Sequence, residues 1–160
     1  MSQPTPILPL LESLDQACPG GYAVALHVKF TTPRYLFQTY PETWNAHYTQ
    51  NGYVMQDPTV HWGFQNTGIK PWADLKDHDP AGILAQAAEF GLAFGFTYAT
   101  DAGGSRSVTS FARADRSYTA EECAAIAAVI DTLHAVTGED RELTPEDKAT
   151  LRLRSVVLPG

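Results

Sequence analysis

Cysteine is scarce: Cys18 and Cys123 are the only two. They form no CxxC pair and have no histidine or cysteine companion at metal-ligand spacing, so the expectation is two free buried thiols rather than a disulfide or a metal site. Long apolar runs are also missing. None approaches the roughly 18 residues needed to cross a bilayer. The opening stretch, MSQPTPILPLLESLDQACPG, has no basic start and is broken by prolines, so it fits neither a secretory signal nor a transit peptide. These absences predict a cytoplasmic protein with no membrane partner. Positive charge is thin, with 11 Lys and Arg against 18 Asp and Glu, a net charge of −7. The basic residues are scattered, which argues against a nucleic-acid surface, because phosphate binding needs clustered Lys and Arg.

Catalytic signatures are lacking too. His27, His47, His61, His78 and His134 show no HExxH or paired spacing, and DHD at 77–79 reads as a solvated turn and helix cap. DAGGSRS has no phosphate-loop lysine and reads as a hairpin tip. No Ser/His/Asp set or carboxylate pair has local support. The expectation is a protein that is not an enzyme and carries no metal and no cofactor.

What is present is one domain's worth of chain, 160 residues at 44% apolar content. Residues 5–17 place Ile7, Leu10, Leu11 and Leu14 at helical spacing, and CPGG stops that helix. YAVALHVKF (22–30) and RYLFQTY (34–40) read as strands of a hairpin. Pro41 suits the start of a helix and Gly52 its end. Asp57-Pro58, Asp79-Pro80 and Thr144-Pro145 each read as an N-cap followed by proline at the first helical position, the second opening a helix through about Phe90. LAFGFTYAT and SRSVTSFAR are strands joined by DAGG. A Thr119…Glu122 capping box then opens a long helix with Cys123, Ile126, Val129, Ile130 and Leu133 on one stripe. Hairpin strands with helices outside them predict an α+β fold: an α-β-α sandwich with a central antiparallel sheet of about five strands, covered on both faces.

Residues 40–72 hold all three tryptophans and three of the seven tyrosines. In the helix opened by Pro41, Tyr40, Trp44 and Tyr48 recur every four residues and share one face, with Asp57 a short turn away. An aromatic core stripe with a capping aspartate accounts for this pattern. So does a cavity: phenol and indole donors converging on one carboxylate make an unusually polar core, and a lone buried polar atom costs about 1–3 kcal/mol.

The run Y-P-x-x-W-x-x-x-Y-x-x-x-x-Y-x-x-x-D-P-T-V, followed by P-W ending 15 residues after the aspartate, resembles the autoinducer-binding domain of LuxR-type quorum-sensing regulators. That family binds N-acyl homoserine lactones. The similarity spans roughly residues 5–140. It implies that Trp44 donates its indole N–H to the lactone carbonyl and that Asp57 accepts the ligand's amide N–H. It implies that Tyr40 and Ser110, on the strand containing VTSFAR, reach the acyl carbonyl. Tyr48 would pack on the acyl chain and Trp72 would wall the lactone ring. Thr59, Val60, Leu92 and Thr97 fall where relatives line the pocket. GLAFGFTYA is similar to a family strand, with Ala99 where proline is usual.

By the same resemblance residues 1–140 form the sensor domain. Residues 141–160, containing LTPEDKATLRLRS, form a linker and the truncated first helix of a helix-turn-helix-like segment, so that this chain would not itself read DNA. The implied partners are a small-molecule signal and either a second copy or a LuxR-type receptor in a heterodimer. Two alternatives stand beside the lactone receptor: a shortened homologue that antagonises a full-length receptor by heterodimerisation, and a solo sensor for a different small molecule.

Overall fold

In the structure, a computed structural model describing residues 6–30, 32–139 and 141–157, the alternating residues of YAVALHV form strand β1 (Tyr22–Val28) beneath helix α1 (Ile7–Ala17). The expected helix start at Thr5, the hairpin turn at Thr31 and the boundary at residue 140 lie outside the described residues. β2 (Tyr35–Gln38) returns antiparallel to β1 and leads into α2 (Glu42–Gln50). A 3-10 turn at Tyr53–Met55 connects to α3 (Pro58–Gln65). β3 (Gly68–Pro71), a 3-10 segment (Trp72–His78) and α4 (Ile83–Glu89) follow, then the hairpin of β4 (Phe94–Thr100) and β5 (Arg106–Arg113). α5 (Ala120–Val136) and α6 (Pro145–Arg154) are the last two helices among the described residues.

The five strands form one sheet in the order β2-β1-β5-β4-β3, antiparallel throughout. The expected α-β-α sandwich is therefore the observed one, with α1 and α5 on one face and α2, α3 and α4 on the other. β3 is absent from the sequence reading because GIKP is four residues long, contains a proline and shows no core-facing alternation. It adds to the free edge of β4, where a proline is tolerated.

α4 begins later than its Asp79-Pro80 signal predicts. Asp79 still caps it, but from four and five residues upstream, accepting the N–H groups of Ile83 (2.9 Å) and Leu84 (2.8 Å). Gly82 is the actual N-cap, in the left-handed region at φ 68°, so the intervening Pro80 lies in a turn. The Thr119–Glu122 box is as expected, with reciprocal bonds of 3.1 and 2.8 Å.

Between the sheet and its α1–α5 layer lies the main core. Ile7, Leu11 and Leu14 of α1 and Ile126, Ile130 and Leu133 of α5 meet Tyr22, Val24 and Leu26 of β1 and the stacked Phe96–Phe111 pair. Each such side chain contributes about 1.5–3 kcal/mol on burial. Cys18 and Cys123 are buried here and free, and burial pushes the Cys18 thiol up to about 11.

The segment after residue 140 forms a helix that lies on α1. Asp147 Oδ1 accepts the Ile7 N–H at 2.9 Å, which supplies the cap that α1's own N-terminus lacks. Leu151 enters the core, and Arg154 pairs with Asp15 at 3.0 Å. Ser155 and Val156 then bond both backbone groups of Leu36 on the sheet edge, at 3.0 and 2.7 Å. Leu151→Ala is expected to cost about 2–4 kcal/mol of stability, the usual penalty for a buried leucine. Chemical denaturation checks this: a change below about 1 kcal/mol would mean that α6 is only loosely attached.

At the end of the molecule near the β4–β5 turn, His27 stacks on His134 with ring centroids 4.4 Å apart. His27 interrupts β1 at φ 54°, where the β1–β5 register shifts. Its Nε2–H donates to the His134 carbonyl at 2.8 Å, and Nδ1 accepts from Ser105 at 2.6 Å. His134 repeats the arrangement, with Nε2–H to the Ala102 carbonyl and Nδ1 toward Ser107. A carbonyl only accepts, so both rings carry their proton on Nε2. Burial holds His27 below its ordinary 6.5, outweighing the hydrogen bond to the His134 carbonyl, with Arg34 adding to the shift and Glu139 opposing it. The unfolded chain therefore binds more protons as pH falls, so stability is full above about pH 6.5 and declines below it. Urea denaturation at pH 7.5 and 5.5 should show that decline, and His27→Gln should reduce the difference.

Candidate ligand-binding site

The second face of the sheet is lined with small residues. On β1, Tyr22, Val24 and Leu26 point into the core, so period-2 geometry sends Ala23 and Ala25 to the other side. Gly95 of β4 and Ala112 of β5 continue that face. A bulky side chain at Gly95 has no room: a Cβ there would lie 2.5 Å from the Trp72 ring and 2.6 Å from the Phe111 carbonyl oxygen. Trp72 therefore lies directly on the backbone of β4. α3 also sits close to the sheet, because a Cβ at Gly63 would be 2.4 Å from Val108 Cγ1. Between the sheet and the layer of α2, α3 and α4 this leaves a cavity of about 560 Å³, within the usual range of small-molecule pockets.

Eight of the ten residues singled out from the sequence line this one cavity: Tyr40, Trp44, Tyr48, Asp57, Thr59, Val60, Trp72 and Ser110. The helix α2 presents Trp44 and Tyr48 on the face toward the sheet, as their spacing predicts, with ring centroids 5.9 Å apart. Behind them Trp44 packs on Phe90, and Gln86 of α4 accepts from His47 (2.8 Å) and from the Tyr53 hydroxyl (2.9 Å). That network locks α2 to α4 and fixes the wall.

Asp57 has two duties. As N-cap of α3 its Oδ1 accepts the Thr59 N–H at 2.8 Å and the Thr59 hydroxyl at 2.7 Å. Its Oδ2 accepts the Tyr48 hydroxyl at 2.8 Å. A carboxylate offers about four acceptor positions, so capacity remains on Oδ2 at the cavity wall. No lysine or arginine lines the cavity among the described residues. The three groups that donate to the carboxylate, the Tyr48 hydroxyl and the Thr59 N–H and hydroxyl, are all neutral. Its charge, after burial itself, holds the Tyr48 phenol far above its ordinary range and does the same to Tyr40, so both stay neutral hydrogen-bond donors. The Tyr40 hydroxyl is buried with no partner. An orphan donor of that kind costs about 1–3 kcal/mol. A ligand acceptor in the cavity would satisfy it.

Leu92 and Thr97 do not line the cavity. Leu92 is fully buried with Trp44 and Trp72 in the second core cluster. Thr97, directly opposite Ser110 in the β4–β5 ladder, is bonded to it at 2.8 Å and accepts the Trp72 indole N–H at 3.2 Å. With Thr97 taking that proton, its own hydroxyl is free to donate to Ser110, and Ser110 is left a proton to offer the cavity.

Residues the sequence reading did not single out complete the lining. Gln38 and Asn45 stand at the polar end, Ala23, Ala25 and Leu36 form the floor, and Phe64 and Met55 lie on the roof. The small floor residues carry a signal in the alternation of YAVAL, but that pattern does not say which face holds a void.

With this geometry in place, the comparison with protein families is decisive: a model described as the autoinducer binding domain matches residues 20–140. The chain belongs to the LuxR-type autoinducer-binding domain family. The domain is 29% identical over 126 residues to the transcriptional activator protein SolR of Ralstonia nicotianae, covering 74% of this chain and 53% of SolR. It thus spans about half the length of that relative. Among solved structures it resembles SdiA, of Escherichia coli, in complex with octanoyl-rac-glycerol, with a TM-score of 0.62, 21% identity and coverage of 91% of this chain and 65% of that one. CepR2 from Burkholderia cenocepacia, an N-acylhomoserine lactone-dependent LuxR family transcription factor, has a TM-score of 0.61 at 20% identity, with coverage of 81% of this chain and 79% of CepR2. At these identities the structural likeness speaks for the fold. Autoinducer-binding domains are ligand-binding parts of regulators and not enzymes. Among the described residues no helix is long and apolar enough to cross a membrane.

Proposed function

We propose that this autoinducer-binding domain is a quorum-sensing receptor module, acting in the cytoplasm, whose cavity takes an N-acyl homoserine lactone. The observation that carries the reading is the convergence of an unpaired phenol and a cation-free carboxylate on one cavity. Tyr40 offers a donor without an acceptor, and Asp57 offers an acceptor next to it. A secondary amide supplies both complements, its carbonyl for Tyr40 and Ser110 and its N–H for Asp57. The Asp57 contact would be charge-assisted and so stronger than a neutral pair. Trp44 would meet the lactone carbonyl, Trp72 would wall the ring, and Tyr48, Thr59 and Val60 would border the chain. Leu92 and Thr97 would act from behind, Leu92 by packing the tryptophans and Thr97 by orienting Ser110.

Thermal melting with acyl homoserine lactones tests this. A ligand that binds only the folded form adds about 2.7 kcal/mol at a hundredfold excess over its Kd, which for a domain this size is a rise of several degrees. A flat response to every lactone would remove the reading. A glycerol ester tests the alternative of a different small molecule, favoured by the octanoyl-glycerol bound in SdiA. It keeps the carbonyl and lacks the N–H, so it should bind more weakly if Asp57 holds the amide. The protein is further proposed to work as a dimer, with itself or with a LuxR-type receptor that it would antagonise. Co-purification with and without lactone decides between those two.

A further inference from the structure

The floor of the cavity is organised in rows. The first row places Gln38, Ala23 and Ser110 side by side on the floor, with polar side chains at Gln38 and Ser110 and with Thr97 in register beyond Ser110, off the lining. The second is apolar, with Leu36, Ala25 and Val108 on the floor and Ala99 in register beyond them. Beyond it, past the bulge, Val28 and Pro33 reach the cavity wall. Tyr40 and Asp57 stand at the polar end, so an amide seated there has its tail directed over the second row. Two routes are open in principle, toward β4 or along β1. The first is obstructed, because α3 rests on the sheet at Gly63 with Val108 against its backbone, and Trp72 covers Gly95. The second is floored by Ala23 and Ala25, the smallest side chains available short of glycine.

We propose that the cavity selects long acyl chains, of about ten to twelve carbons, threaded along β1 from Ser110 to Val28. The inference rests on the lactone reading and adds the chain length to it. From Ala23 to Val28 is five residue steps at about 3.3 Å each, shortened by the bulge to about 15 Å. A fully extended chain advances about 1.2 Å per bond, since one residue of three bonds spans about 3.3–3.6 Å, so this lane holds about twelve bonds. The void over the lane and the orphan Tyr40 hydroxyl at its head are independent observations that point the same way. Ala23 and Ala25 set the width of the lane, and Val28 sets its end.

The test uses the full chain with N-butanoyl-, N-octanoyl- and N-dodecanoyl-homoserine lactone and with dodecanoyl glycerol, measuring Kd by calorimetry. Affinity is expected to rise through the dodecanoyl compound, at up to roughly fourfold per methylene. Ala25→Leu should cost the dodecanoyl ligand at least tenfold and leave the butanoyl ligand within about threefold, narrowing the gap between the two. Val28→Phe, which alters only the far end and leaves the core untouched, should weaken the dodecanoyl ligand and spare the octanoyl one. A wild-type optimum at eight carbons or fewer overturns the inference and leaves the receptor reading standing. So does an unchanged length preference in Val28→Phe. Binding of dodecanoyl glycerol with no binding of any lactone sustains the lane but overturns the amide head. Failure of all four ligands overturns both.

Discussion

Asp57→Asn is expected to weaken lactone binding by about 10- to 100-fold while changing the stability of the unliganded domain by less than about 1 kcal/mol. The asymmetry follows from the two oxygens. Asparagine keeps one carbonyl oxygen, which can still accept the Thr59 N–H at the start of α3, now 2.8 Å away. The amide end replaces Oδ2, and it can donate to the Tyr48 oxygen that presently donates to Asp57 at 2.8 Å. The helix cap and the tyrosine contact thus survive in altered form. What does not survive is the charged acceptor facing the cavity, and a ligand N–H would there meet another N–H. Hydrogen bonds to charged groups are worth about 1.5–3 kcal/mol net, which sets the expected factor. Titration of the variant with a lactone, beside a denaturation curve without it, gives both numbers. Equal losses in the two would reduce Asp57 to a helix cap.

Gly95→Ala is the second large effect, and it acts on fold and site together. A single methyl at residue 95 would stand 2.6 Å from a backbone oxygen of β5 and 2.5 Å from the Trp72 ring. The ring could swing away, but the Phe111 carbonyl belongs to the central pair of strands and cannot move without breaking the ladder. Overpacking of this kind costs about 1–3 kcal/mol and here should reach the upper end or exceed it. Displacing Trp72 also separates its indole from Thr97 and so disturbs Ser110. Denaturation and ligand titration should both deteriorate. A variant with wild-type stability and affinity would mean that Trp72 does not need the bare backbone beneath it.

The fold was legible wherever the chain carries its own punctuation. The capping box at Thr119 and the aspartate and proline at residues 57 and 58 state their helices outright, because the groups that satisfy the first turn are adjacent in sequence. β3 was not legible, since a short edge strand needs only a neighbour to pair with and its neighbour, β4, lies beyond α4 in the chain. The attachment of α6 was hidden for the same reason: Ile7 and Asp147 meet across 140 positions.

At the site, the residues of α2 and of the turn before α3 were readable, because Trp44, Tyr48 and Asp57 converge through local geometry alone. The resemblance implies a lining position for Thr97. Strand parity does put it on the cavity face, but the Trp72 side chain and Ser110 come between it and the void. The alternation of YAVAL marks the alanines of β1 as strand residues and not as the floor, because a void is defined by what its neighbours leave unfilled. No single segment states that.

The central claim is that the space over Ala23 and Ala25 receives an acyl amide whose N–H is held by Asp57. A crystal structure of the chain with N-dodecanoyl homoserine lactone tests it most directly. The account predicts the amide nitrogen at about 2.7–3.2 Å from an Asp57 carboxylate oxygen, the acyl oxygen within reach of the Tyr40 hydroxyl, and the tail over Ala25 toward Val28. A closed cavity filled by Leu36 and Phe64, or a ligand bound elsewhere with Tyr40 still unpaired, would contradict it.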